Sequence, residues 1–91
     1  MEVLFEIWLK DNYSLSDNSI GKYKRAIRAV TKDMLEEGVI DRDLYSITSS
    51  TEFELIKQLI FNNRCFDQKD TRGNRMYSVA MNHYQEFLDK R

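Results

Sequence analysis

The 91-residue sequence has no proline, three glycines and one cysteine. Tight strand-connecting turns depend on such residues, so their scarcity argues against a strand-and-turn architecture. A single thiol, Cys65, excludes an internal disulfide. No second Cys or His stands at metal-ligand spacing from it, so no metal site is expected and a reducing, cytoplasmic setting is. Cys65 reads as a small, half-buried apolar residue. Nothing matches a phosphate loop, a zinc site or a calcium loop, and no cofactor is expected. No apolar run approaches the roughly 20 residues that cross a bilayer. The opening "MEVLFEIWLKD" lacks both a basic leader and a small-residue cleavage site, so it reads as part of the fold and not as a signal peptide.

What is present is 42% hydrophobic residues, with five Phe, five Tyr and one Trp. This suffices for one modest core in a single module, residues 1–91. Lys, Glu, Leu, Ile, Met and Ala at helical spacing predict an all-α fold of four helices. In the first helix, residues 2–11, the spacing places Val3, Leu4, Ile7 and Trp8 on one face, with Met1 beside them. Ser16 is placed to cap the second helix, with Leu15 and Ile20 as a hydrophobic staple. That helix should run over residues 17–37 and stop at Gly38, with Ile20, Tyr23, Ile27, Val30 and Met34 inward. Residues 39–50 read as a connector with a short turn around Asp43 and Tyr45. Ser50 or Thr51 should cap a third, central helix carrying Phe53, Leu55, Ile56, Leu59 and Ile60, with Thr51 and Glu54 fitting a capping box. Residues 62–74, "NNRCFDQKDTRGN", read as a loop anchored by Phe66. The last helix, residues 75–89, turns Met76, Tyr77, Ala80, Met81, Tyr84, Phe87 and Leu88 inward. Trp8, Tyr23, Ile27, Ile56, Leu59, Tyr84 and Phe87 are expected to share one core.

The net charge is only −1, yet charge is segregated. Lys22, Lys24, Arg25, Arg28 and Lys32 fall within eleven residues, whereas residues 33–58 hold seven acids against two bases. At about 100° per residue, Arg25, Arg28 and Lys32 share a sector of roughly 60° beside the buried stripe, which Lys24 extends. Lys24, Arg28 and Lys32 form a like-charge ladder, and carboxylates at helical spacing within this helix are scarce. Such a face either keeps the helix soluble or holds a polyanion, and nucleic-acid phosphate is the most common one. Gly21 leaves a bare patch on the same helix. Arg64, Lys69, Arg72 and Arg75 make the segment before the last helix a second basic region.

Three stretches, "FEIWL", "LSDNSIGKYKRAI" and "YSVAMNHYQEFL", resemble in order and approximate spacing the N-terminal core-binding domain of tyrosine recombinases, the phage integrases. That family shows a Phe and a Leu on its first helix, a capped second helix with a hydrophobe and a Tyr, and a closing helix with an Ala, an aromatic and a Phe-Leu pair. The ending is also similar to helical modules at the front of bacterial restriction-type endonucleases. The resemblance implies a SAM-like four-helix bundle lying on one side of duplex DNA, with a separate C-terminal catalytic domain closing from the other. It points to Ser16, Ser19, Lys22, Arg25 and the neighbouring cations Lys24, Arg28 and Lys32 as phosphate contacts, to which the second basic region would add Lys69, Arg72 and Arg75. Typical modules of that family carry a larger positive excess, so the expectation is either weak binding here or binding that belongs partly to the separate domain.

No catalytic constellation is visible. Recombinase chemistry needs an arginine pair, a histidine and a nucleophilic tyrosine in a further domain. His83 reads as a lone surface histidine, Tyr77 and Tyr84 as core aromatics, and Glu36 and Glu37 point apart on their helix. The chain is therefore expected to be a non-catalytic DNA-binding module. The alternative from a different class is a protein-interaction or oligomerisation module of the same fold.

Overall fold

Five α-helices and one 3-10 turn, with no strand, make up the computed structural model, which describes residues 1–91. The helices are α1 (Glu2–Asn12), α2 (Asp17–Glu36), α3 (Ser50–Phe61), α4 (Arg64–Arg72) and α5 (Met76–Asp89), and the 3-10 turn is Leu44–Ser46. The expected count of four is corrected to five, because the stretch read as a loop after α3 contains α4.

Helix α2 has both of its expected ends. The Ser16 hydroxyl oxygen accepts the N–H of Ser19 at 3.2 Å, satisfying one otherwise unpaired donor of the first turn. At the other end Gly38 is left-handed, with φ at 73°. Val39 N–H bonds Met34 O at 2.9 Å and Gly38 N–H bonds Leu35 O at 3.1 Å, the two bonds of a Schellman ending. The inward stripe is Ile20, Ile27, Val30 and Met34, with Tyr23 half-buried beside it.

Helix α1 buries a different face from the expected one. Phe5 and Leu9, one turn apart, are fully buried with Met1 and Trp8 packed beside them, whereas Val3, Leu4 and Ile7 are exposed. Six of the seven positions from Val3 to Leu9 are apolar, so spacing alone selects no face. The deciding factor is aromatic packing: the Phe5 ring lies 5.2 Å from Tyr84, 5.6 Å from Phe87 and 6.4 Å from Tyr45.

Helix α3 is peripheral, not central. Only Phe53 and Ile60 are buried on it, Ile56 is partly so, and Leu55 and Leu59 are 62% and 59% exposed. Leu59 is thus outside the core it was expected to join. The cap is Ser49, one residue before the expected Ser50, and it accepts Glu52 N–H at 3.2 Å. The central pair is α2 and α5; α1 packs against both, and α3 packs against α5 and α4.

The stretch "NNRCFDQKDTR" is helical because it carries its own cap and its own buried face. Asn63 Oδ1 accepts the N–H of Phe66 at 3.0 Å, and Phe66 and Asp70, one turn apart, are both buried. Phe66 also stacks on Phe61 of α3, with centroids 5.4 Å apart. Two left-handed residues, Asn74 and Arg75, then turn the chain into α5. The α5 stripe is as expected, with Ala80, Met81, Tyr84, Phe87 and Leu88 buried and Met76 and Tyr77 half-buried. Two single residues differ from expectation. Cys65 is exposed, and its thiol is pushed up chiefly by a hydrogen bond to the Glu37 carboxylate. His83 is half-buried, its ring packed 4.7 Å from Tyr13 and 5.1 Å from Tyr23.

Candidate nucleic-acid interface

The five cations of α2 fan around its outer side, and their surroundings divide them into two groups. Lys24 and Arg28 face α1, which runs antiparallel to α2. Arg28 donates from Nη2 and Nε to one oxygen of Glu2 at 2.5 and 3.0 Å, and Lys24 pairs with Glu6 one turn further along α1. The like-charge ladder of α2 is thus answered in part by an acid ladder on the neighbouring helix. Glu6 is held below the ordinary carboxylate value, first by its hydrogen bond from Lys24 and then by that charge. The same kind of bond, donated by Arg28 to Glu2, raises Arg28. Reading α2 by itself misses these partners, because the i±4 rule looks only along one helix.

Lys22, Arg25 and Lys32 make no ion pair, and all three are exposed. Arg25 folds back over Gly21, where an added Cβ would lie 3.1 Å from Arg25 Nη1. The bare patch at Gly21 is therefore occupied by the guanidinium of Arg25. Ser19, Lys22 and Tyr23 form one wall of a groove of about 360 Å³ whose other wall is Gly73, Asn74, Met76 and Val79. A hollow of about 210 Å³ continues it past Lys22 and Met76 to Arg25 and Tyr77. Tyr23, Asn74 and Tyr77 were not among the expected site residues, because aromatics at helical spacing read as core and Asn74 as loop.

The remaining expected residues are more constrained. Ser16 and Ser19 are engaged with each other, Oγ to Oγ at 3.2 Å, in the α2 cap. Lys69 pairs with Asp33 at 2.6 Å and lies 5.2 Å over the Tyr77 ring. Arg75 lies 3.6 Å from Asp70 and 3.9 Å from Asp67. Arg72 makes no ion pair but lines a separate hollow formed by α4 residues alone. The structure thus brings Ser19, Lys22 and Arg25 to one groove, leaves Lys32 further along the same helix, and does not bring Arg72 to them.

Residues 3–55 match the family model of the phage integrase SAM-like domain, more than half of the 91 residues. The chain belongs to the phage integrase SAM-like domain family. Neither a curated protein nor a solved structure matches it. The matched stretch of this SAM-like domain holds α1, α2, the connector and the first half of α3, and with them every α2 cation. Lys69, Arg72 and Arg75 lie beyond it. The family is a non-catalytic, N-terminal one. No group of three or more His, Cys, Asp or Glu side chains is placed to hold a metal ion. No helix of the SAM-like domain is long and apolar enough to cross a membrane.

Proposed function

We propose that residues 1–91 form a single non-catalytic module that binds duplex DNA through its phosphate backbone, as the N-terminal part of a larger integrase or recombinase. Its chemistry would be supplied by a C-terminal catalytic domain. The observation that carries this reading is the set of three cations on α2, Lys22, Arg25 and Lys32, exposed and without a counter-charge in a domain of the integrase family. Cations so placed replace condensed counterions on DNA, and release of those ions drives binding. Ser19 and Asn74 offer polar groups along the groove beside Lys22. The engaged cations Lys24, Arg28, Lys69 and Arg75 contribute less, since phosphate must compete with carboxylates already in place.

The test is a salt titration of duplex binding by the isolated chain. Three phosphate contacts give a slope of log K against log salt of roughly −2.7, and affinity near physiological salt on the order of micromolar or poorer. Replacing Lys22, Arg25 and Lys32 together by Ala should abolish most of that slope while the chain stays folded. A folded wild-type chain that ignores duplex at about 50 mM salt would sink the reading.

A second reading, a protein-interaction or oligomerisation module, draws on Leu55 and Leu59, exposed one turn apart on α3. Exposed apolar patches mark such surfaces. It becomes the preferred reading if duplex binding is absent and sedimentation shows a concentration-dependent assembly that Leu55→Ser with Leu59→Ser abolishes.

A further inference from the structure

Glu2 and Glu6 stand one turn apart on α1, and Lys24 and Arg28 stand one turn apart on α2, so the two helices meet as a matched pair of charge ladders. Helix α1 is fastened in that position by Phe5 and Leu9, both fully buried, and not by the ion pairs. The acids are the better sheltered partner at Arg28, whose side chain is 65% exposed against 23% for Glu2. At Lys24 both partners are partly covered. Lys32, one turn beyond Arg28 on α2, has no such acid opposite it and stays free. Helix α1 also presents Lys10, 3.5 Å from Glu6, so the Glu6 carboxylate is held from two sides.

We infer that α1 is an electrostatic cover over part of the DNA-binding face, in which Glu2 and Glu6 withhold Arg28 and Lys24 from phosphate. This rests on the phosphate reading above and deepens it by dividing the cations into an open set, Lys22, Arg25 and Lys32, and a covered set. The covered set becomes available when the two acids are neutralised, and the module then offers five phosphate contacts where it otherwise offers three. The cover also accounts for a basic helix in a chain of net charge −1: the acids are placed against particular cations and leave the others open.

The experiment compares four forms of the full chain by fluorescence anisotropy with a short labelled duplex over a series of salt concentrations, each form checked for folding by circular dichroism. The second form is Glu2→Gln with Glu6→Gln. A control, Asp11→Asn with Glu36→Gln, removes the same charge from two exposed acids that make no ion pair. The fourth form adds Lys24→Gln and Arg28→Gln to the Glu2 and Glu6 changes. The cover predicts a slope steeper by about 1.8 in the Glu2/Glu6 form, so that its affinity advantage over wild type widens about twelvefold as salt falls from roughly 200 to 50 mM. It predicts no steepening in the control, and a return to the wild-type slope in the fourth form. Equal slopes in wild type and the Glu2/Glu6 form, or equal steepening in the control, would overturn the cover while leaving wild-type DNA binding intact. Absence of binding by all four folded forms would instead overturn the phosphate reading itself, and the cover with it.

Discussion

The carboxylate of Asp70, on α4, accepts the backbone N–H of Ser78, in the first turn of α5, at 2.9 Å. Arg75, at the N-cap position of α5, makes no side-chain cap bond and is left-handed, with φ at 64°. One helix therefore caps the next, through a side chain only 2% exposed. The turn between these helices supplies Gly73 and Asn74, and α5 supplies Met76 and Val79, to the far wall of the groove beside Lys22.

Replacing Asp70 by Ala leaves the Ser78 N–H without its partner, and the expected loss is about 1 to 3 kcal/mol. For a domain of this size a change of 1 kcal/mol corresponds to roughly 4 to 8 °C in Tm. Asp70→Asn keeps an acceptor at that place and should recover part of the loss. Thermal unfolding of the three proteins checks this, and equal melting temperatures would rule out the capping role.

Two core substitutions separate the observed packing from the expected one. Ile27 is fully buried, so Ile27→Ala should cost about 2 to 5 kcal/mol. Leu59 is 59% exposed, and Leu59→Ala should cost no more than about 0.5 kcal/mol. Chemical denaturation of both variants makes the comparison, and comparable losses would place α3 in the core after all.

Gly38→Ala isolates backbone strain, since nothing lies within 4 Å of an added Cβ while φ is 73°. The expected cost is about 1 to 2 kcal/mol, with no change in the spectroscopic signature of the fold. A neutral result would mean that the Schellman ending of α2 relaxes freely.

His83 should make stability fall as pH drops. Burial between Tyr13 and Tyr23 pushes its pKa below the ordinary value of 6.5, with the nearby Glu86 charge opposing weakly. The unfolded chain then takes up the proton first, so stability is full above the unfolded value and is lost as pH falls from it through the lower folded value. Glu86, lowered mainly by the Tyr13 hydroxyl that donates to it at 2.6 Å, loses its own contribution only at more acidic pH, below the ordinary carboxylate value of 4.5. Unfolding curves between roughly pH 7 and 5 therefore report on His83, and His83→Phe should flatten them. An unchanged pH dependence in that variant would exclude His83 as its source.

The two long helices were legible because each carries redundant signals. For α2, a Ser cap, a five-member apolar stripe and a terminal Gly agree, and for α5 seven apolar positions recur at helical spacing. The short helices carry less. In α1 six of the seven positions from Val3 to Leu9 are apolar, so spacing could not separate the expected face of Val3, Leu4, Ile7 and Trp8 from the face of Phe5 and Leu9 that is buried, and of the expected four only Trp8 packs against the core. In α4 the amides and acids have the propensity of a loop; the cap at Asn63 that outweighs it is a local bond hidden in that composition, and the burial of the Phe66–Asp70 face is decided by tertiary packing.

By its own pattern the sequence determined an all-helical chain, the span of α2, the inward face of α5 and the concentration of positive charge on α2, because these follow from contacts within one turn or two of the same helix. Only the tertiary structure decided which cations are open. Lys24 and Arg28 are 18 and 26 positions from the acids that hold them, and no local rule links such distances; their pairing follows from how Phe5 and Leu9 seat α1 across the core. The same packing exposed Leu59 and drew His83 between two tyrosines, since burial depends on what lies opposite a helix face and not on that face alone.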